Sequence, residues 1–374
     1  MRSVISRTAD RVLHTTAGAT YPVSEEAAAF HASVPVVDLV VGTALFRPGL
    51  LSRRRRGHVD LPRLIEGGVD LVGFTVATRH PDRRGTLSTP HLWSVGVPAG
   101  ALRSDMAIAS AIIARIDGWA ASSAGRLAMV RNQADLAAVG AGRSGASSGG
   151  SAVRAFIGIQ GGHVLERDPA NVARLQARGV RLFALAHVMD NELVGSNTGV
   201  RGGGLTGLGR EVVAELERVG IVVDLAHMSP AGIRDTVPLL SRPFVLSHTG
   251  FTRLSGALSR VPRRRFTPGR RNVGDDEARL VAEAGGVIGL TMSTYLLGGS
   301  DLDAVARAMD AGLELAGPER LAIGSDFDGG LRTVFDVTGL PRVTARLLAA
   351  GQDRSTVAAF LGGNALRVLR ATAG

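Results

Sequence analysis

Short runs of β-branched and other apolar residues, bounded by turn residues, recur along the chain, and stretches with apolar residues at helical spacing lie between them. The runs are Val36–Leu39, Val69–Phe74, Phe156–Ile159, Arg181–Leu185, Ile221–Leu225, Phe244–Ser247, Gly286–Leu290 and Leu321–Gly324. The helical stretches include Ala107–Ala120, Ala170–Arg178, Gly209–Val219, Asp276–Ala284 and Leu302–Ala316. The runs are near-continuous in apolar character, as expected of strands covered on both faces by helices. Eight such strands alternating with helices predict an α/β fold, a parallel (β/α)8 TIM barrel, built as a single domain over 1–374. The interval at about 75–155, between the second and third strands, predicts an elaborated βα connection. Ala138–Ala152 (AVGAGRSGASSGGSA) reads as a loop before the third strand. Gly202–Gly209 (GGGLTGLG) has the glycine content of a phosphate cradle, but the chain has no Lys to complete one, so it reads as a loop entering a helix near Arg210.

Composition narrows the function classes. With 374 residues, 45% hydrophobic and 20% charged, the chain has material for a sizeable core and is not a disordered polymer. No apolar run reaches the roughly 20 residues of a membrane span, and the first residues lack a signal-peptide stretch, so a cytoplasmic protein without membrane contact is expected. The absence of Cys excludes disulfides, thiolate metal sites and cysteine nucleophiles. The formal charge of +10 rests on 43 basic residues that are all Arg, the composition a GC-rich coding sequence produces. The Arg runs at 53–56 and 263–265, with Arg270 and Arg271 close behind, read as solvated loops. Few aromatics accompany them, and no nucleic-acid partner is expected.

In a barrel of this kind the active site lies at the strand C-termini, so the residue just past each strand is informative. Those positions hold Gln160 after the third strand, His187 after the fourth, His227 after the fifth, His248 after the sixth and Asp326 after the eighth. Three of the chain's nine His fall there. His227 and His248 follow consecutive strands, so their imidazoles are neighbours at the barrel mouth, as a divalent metal requires. Two histidines and a carboxylate at strand ends match a metal-hydrolase layout.

The chain resembles the membrane (renal) dipeptidase family, zinc metallopeptidases within the amidohydrolase-type barrels. The matching words are HVDLPRLIEGGV at 58–69, GIQGGH at 158–163, LAHVMDNE at 185–192, GLTGLGREVV at 204–213, VVDLAHMS at 222–229, SHTGF at 247–251, RNVGDDEARLV at 271–281, GSDFDG at 324–329 and GGNALRVL at 362–369. They run in consistent order from about residue 34 to the end.

The resemblance implies a pair of zinc ions bridged by a Glu after the third strand. One ion is also held by a His-x-Asp after the first strand, and the other by the residues corresponding to His227 and His248. This chain departs from that pattern: Val40 stands in the His place, Gly42 in the Asp place and Gln160 in the place of the bridging Glu. The expectation is therefore at most one divalent ion, zinc or none, held by His227, His248 and Gln160. Nearby His58 and Asp60 imitate the lost His-x-Asp but align with a different family segment. The resemblance gives His187 the task of stabilising the tetrahedral intermediate, Arg271 that of pairing with the substrate's terminal carboxylate, and Asp326 that of acid/base. A surface salt bridge with Asp275 or Asp276 is the plainer reading of Arg271, and a turn cap that of Asp328.

The reading is a divergent dipeptidase-like hydrolase acting on a dipeptide or similar small amide with a free carboxylate. The alternative is a non-hydrolytic descendant of the fold that binds a peptide-like small molecule or catalyses another reaction. Family members are commonly homodimers, which is the expectation for assembly. Changing Val40→His, Gly42→Asp and Gln160→Glu together is expected to rebuild the second ion site.

Overall fold

The computed structural model describes residues 13–47, 49–81, 87–88, 92–93, 95–140, 152–256 and 267–372. Eight strands form a ring: β1 (Val37–Val41), β2 (Leu71–Val76), β3 (Val153–Gln160), β4 (Val180–Ala184), β5 (Val222–Asp224), β6 (Val245–Thr249), β7 (Val287–Leu290) and β8 (Leu321–Ile323). Every neighbour is parallel, and the β1–β8 and β2–β3 pairings close the barrel. All eight predicted strands are present, displaced at their ends by no more than three residues.

The long connection after β2 holds a helix, Asp105–Ala121, a three-residue strand, Leu127–Met129, and a short helix, Gln133–Ala137. The small strand pairs with Val153–Ala155 at the start of β3, on the edge that β4 takes over from Ile157 onward. Residues 141–151 of the glycine- and serine-rich segment, and Arg263–Arg265, lie outside the described residues. Arg53, from the other Arg run, pairs with Glu66 at the surface.

Helix boundaries follow from local chemistry. The helix predicted to open near Arg210 spans Gly207–Val219: Thr206 accepts a hydrogen bond from the Gly209 amide at 3.0 Å, and Gly220 ends the helix at φ 75°. Asp301 caps Leu302–Ala316 in the same way, and that helix buries Leu302, Val305, Met309 and Leu315 against the barrel.

Inside the ring, Val37, Leu71, Phe156, Leu182, Val222, Val245, Val287 and Ala322 form one apolar cluster with Ala365, Leu366, Val368 and Leu369 of the C-terminal helix Asn364–Thr372. Several are the first residues of their strands, so this cluster plugs the N-terminal end of the barrel. Polar side chains gather at the other end. Crowding at β6 is relieved by glycine: a Cβ on Gly289 or Gly324 would lie 1.8 or 1.7 Å from the Ser247 carbonyl oxygen. The backbone of Ser247 is thereby held in a close-packed slot.

Candidate active site

Gln160 is the last residue of β3, His187 and His227 lie three residues beyond β4 and β5, His248 is within β6 and Asp326 is three residues beyond β8. The barrel brings the first four together. The Nε2 atoms of His227 and His248 are 3.1 Å apart, and the Gln160 side-chain amide is 3.3 Å from His248 Nε2. The ring of His187 meets that of His227 edge to face at 4.8 Å. Arg271 closes the group, with Nη2 3.3 Å from His227 Nε2 and donating to the His248 carbonyl at 3.1 Å. Asp326 belongs to the same electrostatic neighbourhood, since its carboxyl feels the charges of Arg271 and Asp38.

His227 (φ 65°), Asp326 (φ 58°) and Asp328 (φ 58°) occupy left-handed backbone conformations that non-glycine residues seldom adopt. Such strain persists only where surrounding contacts over-determine it, and it clusters at functional sites. Here the Asn197 amide donates to the His227 carbonyl at 2.8 Å, and the Gly329 amide donates to the Asp326 carbonyl at 3.0 Å.

Burial sets the charge states. It holds His187 down at about 3, assisted by His163 and Arg271, and holds His227 and His248 well below the ordinary imidazole range, assisted by Arg271 and neighbouring imidazoles. The three rings are neutral at pH 7. Burial pushes Asp326 up to about 7, with Arg271 opposing the rise and Asp38 adding to it. Asp38 is likewise pushed up to about 7 by burial, against hydrogen bonds from Ser325 and Val40.

Arg271 is buried rather than engaged at the surface. Asp275 pairs instead with Arg253 at 2.6 Å, and Asp276 lies 3.7 Å from Arg279. Asp328 does far more than cap a turn. Its fully buried carboxylate takes Arg47 at 2.8 Å, the Thr43 hydroxyl at 2.9 Å and the His58 amide at 2.8 Å, while its own amide donates to His58 Nδ1 at 3.0 Å. This cluster locks the turn after β8 onto the end of β1. The Asp326 amide donates to the Val40 carbonyl at 3.1 Å and the Gly42 amide to the Phe327 carbonyl at 2.7 Å.

A Cβ on Gly42 would sit 2.6 Å from the Asp328 carbonyl oxygen and 2.9 Å from Gly329 Cα. An aspartate at 42 therefore requires the β8 turn to move, and restoring the three side chains has to meet the cost of that shift. His58 and Asp60 offer no substitute. Asp60 caps the helix Leu61–Glu66 through the Arg63 amide at 3.0 Å and pairs with the Arg63 side chain, while His58 is committed to Asp328 and the Thr15 carbonyl.

Sequence reading missed two carboxylates that organise the site. Asp224 in β5 accepts from the Ser247 and Ala226 amides at 2.8 and 2.9 Å and from the Ser247 hydroxyl at 2.5 Å. Asp38 in β1 accepts from the Ser325 amide at 2.9 Å and from its hydroxyl at 2.5 Å. The available signal was a charged residue inside an otherwise apolar strand, which must find partners when buried. A cavity of about 430 Å³ opens beside His227 and Arg271, lined also by Asn197, Thr249, Thr252 and Glu277.

A closed parallel barrel with imidazoles, an arginine and a carboxyl at its strand C-terminal ends is a barrel of the metal-dependent hydrolase class. The chain belongs to the membrane dipeptidase family, peptidase family M19, whose sequence profile matches residues 24–374. It is 28% identical over 325 residues to the dipeptidase verJ of Clonostachys rogersoniana, covering 84% of this chain and 76% of that one. It is 29% identical over 227 residues to dipeptidase 3 of Mus musculus, a match covering 58% of this chain and 44% of the mouse protein. Among solved structures, a metallo peptidase from Rhodobacter sphaeroides bound to a phosphinate mimic of the dipeptide L-Ala-D-Ala shares the fold at TM-score 0.74 and 23% identity, over 91% of this chain and 99% of that one. The probable dipeptidase PvdM from Pseudomonas aeruginosa does so at TM-score 0.74 and 19% identity, over 93% and 97%.

Proposed function

We propose that this protein is a divergent dipeptidase-type hydrolase, acting on a dipeptide or related small amide with a free carboxylate and using at most one divalent ion. The observation that carries this reading is the His227–His248 pair. Zn–N bonds of ~2.0–2.1 Å at the tetrahedral angle put two ligand nitrogens about 3.3 Å apart, close to the 3.1 Å between these Nε2 atoms. The Gln160 amide at 3.3 Å from His248 supplies a third donor once its oxygen is turned inward. One ion fits that edge of the pocket.

A second ion would lack its ligands, since Val40 and Gly42 offer none and the β8 turn lies against Gly42. A bound ion of this kind acidifies water toward a pKa of about 7 and polarises a carbonyl. The chain's own groups supply the rest. Arg271 presents a fixed guanidinium for the substrate carboxylate. Neutral His187 offers a hydrogen bond to the carbonyl oxygen as it gains charge. Asp326, pushed up to about 7, takes a proton from water and returns it to the leaving amine near neutral pH.

Arg271 Nη2 stands 3.3 Å from His227 Nε2, a cation against the nitrogen an ion needs, and this favours the alternative of a metal-free, non-hydrolytic pocket. Elemental analysis of purified protein, with dipeptide turnover measured alongside, separates the two. The hydrolase reading expects one divalent ion or fewer per chain and weak turnover lost in His227→Ala. Two stoichiometric ions would refute the proposed ligand set, and turnover absent at every metal loading would move the protein to the binding class.

A further inference from the structure

Asp224 and Ser247 connect to the site through a chain of hydrogen bonds whose polarity follows from counting hydrogens with Asp224 ionised. Asp224 Oδ1 receives two backbone donors, the amides of Ser247 at 2.8 Å and Ala226 at 2.9 Å. Its Oδ2 lies 2.5 Å from Ser247 Oγ, the length of a hydroxyl donating to a carboxylate. Ser247 Oγ also lies 2.8 Å from His248 Nδ1. A hydroxyl has one hydrogen. With Asp224 ionised and that hydrogen directed at it, Ser247 Oγ meets the imidazole as an acceptor, and Nδ1 carries the ring proton.

The β1/β8 side of the barrel repeats the device with an unambiguous donor. Asp38 receives the Ser325 amide at 2.9 Å and the Ser325 hydroxyl at 2.5 Å, and Ser325 Oγ in turn accepts from the Phe327 backbone amide at 3.0 Å. A backbone amide can only donate, so Ser325 Oγ accepts there, and the 2.5 Å contact to Asp38 is the shorter of the two its hydroxyl hydrogen can reach, the other being the Val40 carbonyl at 3.4 Å. In both copies the residue after the serine enters the site, His248 in one and Asp326 in the other. Ser247 is also held from behind, because Gly289 and Gly324 bring their backbones against its carbonyl.

We propose that Asp224 and Ser247 are positioning residues that hold His248 as the Nδ1–H tautomer, leaving the Nε2 lone pair directed at His227 and Gln160. A tautomer set by the hydrogen bond at the other ring nitrogen is how a protein prepares an imidazole as ligand or base. The use made of that lone pair rests on the hydrolase reading, but the tautomer itself is read without substrate or metal, so the two stand or fall separately.

The test is nitrogen-15 NMR of histidine-labelled, metal-free protein at neutral pH, with the His248 signals identified by their loss in His248→Gln. In the unmodified protein, Nδ1 is expected at the protonated-nitrogen position and Nε2 at the unprotonated one. Asp224→Asn is expected to reverse this. The two backbone donors keep the amide oxygen in the Oδ1 place, so the new NH2 faces Ser247 Oγ, whose hydrogen turns to Nδ1 and leaves the proton on Nε2. Ser247→Ala is expected to abolish the bias and Ser247→Thr to retain it. If Asp224→Asn does not fold, the unmodified protein and the two Ser247 variants carry the test. An unmodified protein with the proton on Nε2, or a Ser247→Ala variant with the bias intact, overturns the proposal.

Discussion

At the scale of single residues, the site depends on burial acting in opposite directions on acids and bases. The same desolvation that keeps His187, His227 and His248 neutral raises Asp326 to about 7. Neutral imidazoles retain the lone pairs a metal or a proton needs, and a carboxyl titrating near 7 serves as both acid and base. For any dipeptide the protein turns over, kcat/KM is expected to show an ionisation near pH 7. Asp326→Asn should remove it and lower the rate by ~10²-fold or more, the usual worth of a positioned proton donor. A profile unchanged in Asp326→Asn would take the proton chemistry away from this residue. Gln160, His187, His227, His248 and Asp326 were legible in the sequence because strand-end position and residue type are local signals, whereas Arg271 was singled out only by the family resemblance. The burial of Arg271 was not legible, since it depends on elements packed around residues 197, 227 and 248.

At the scale of elements, the junction of β1 with the turn after β8 distinguishes this protein. Arg47, Thr43 and His58 bind the Asp328 carboxylate, and the resulting turn lies on Gly42 with no room for a side chain. Gly42→Ala is expected to destabilise the fold by about 1–3 kcal/mol, the usual range for forcing atoms into a packed site, measured as a lower denaturation midpoint at unchanged m. Gly42→Asp adds a buried charge and should cost more. A Gly42→Ala variant as stable as the unmodified protein would show that the turn yields easily, and the triple ligand restoration would again become a fair route to a second ion. Strand and helix positions were read correctly because their periodicities are local. This junction was not, because it joins residues about 270 to 285 positions apart.

For the whole molecule, buried titratable groups set the pH dependence of stability. His58 and His163 are held at about 4 and His187 at about 3, with His227 and His248 also well below the ordinary imidazole value of 6.5. Each therefore contributes stability that is present above about 6.5 and lost as pH falls through its folded value. Asp38 and Asp326, at about 7 against 3.8 unfolded, act oppositely: their contribution is present below about 4 and lost as pH rises to 7, and Asp224 shifts in the same direction. Five imidazoles outweigh three carboxyls, so the stability of metal-free protein is expected to rise between about pH 4 and 6.5. Chemical denaturation in a chelating buffer at several pH values checks this, and a midpoint that falls over that interval would reverse the balance.

The sequence by itself determined the alternation of eight strands with helices, the face of the barrel that carries chemistry and the polar residues that stand there. Each of these is written in neighbouring positions, through periodicity, capping residues or the residue just past a strand. Only the tertiary structure decided which of those residues touch. It placed the His227 and His248 nitrogens 3.1 Å apart, turned Arg271 inward, set Asp224 behind His248 through Ser247, and laid the β8 turn over Gly42. Those contacts depend on barrel closure and strand register, which bring distant parts of the chain within a hydrogen bond of one another, and no local pattern records a distance of that kind.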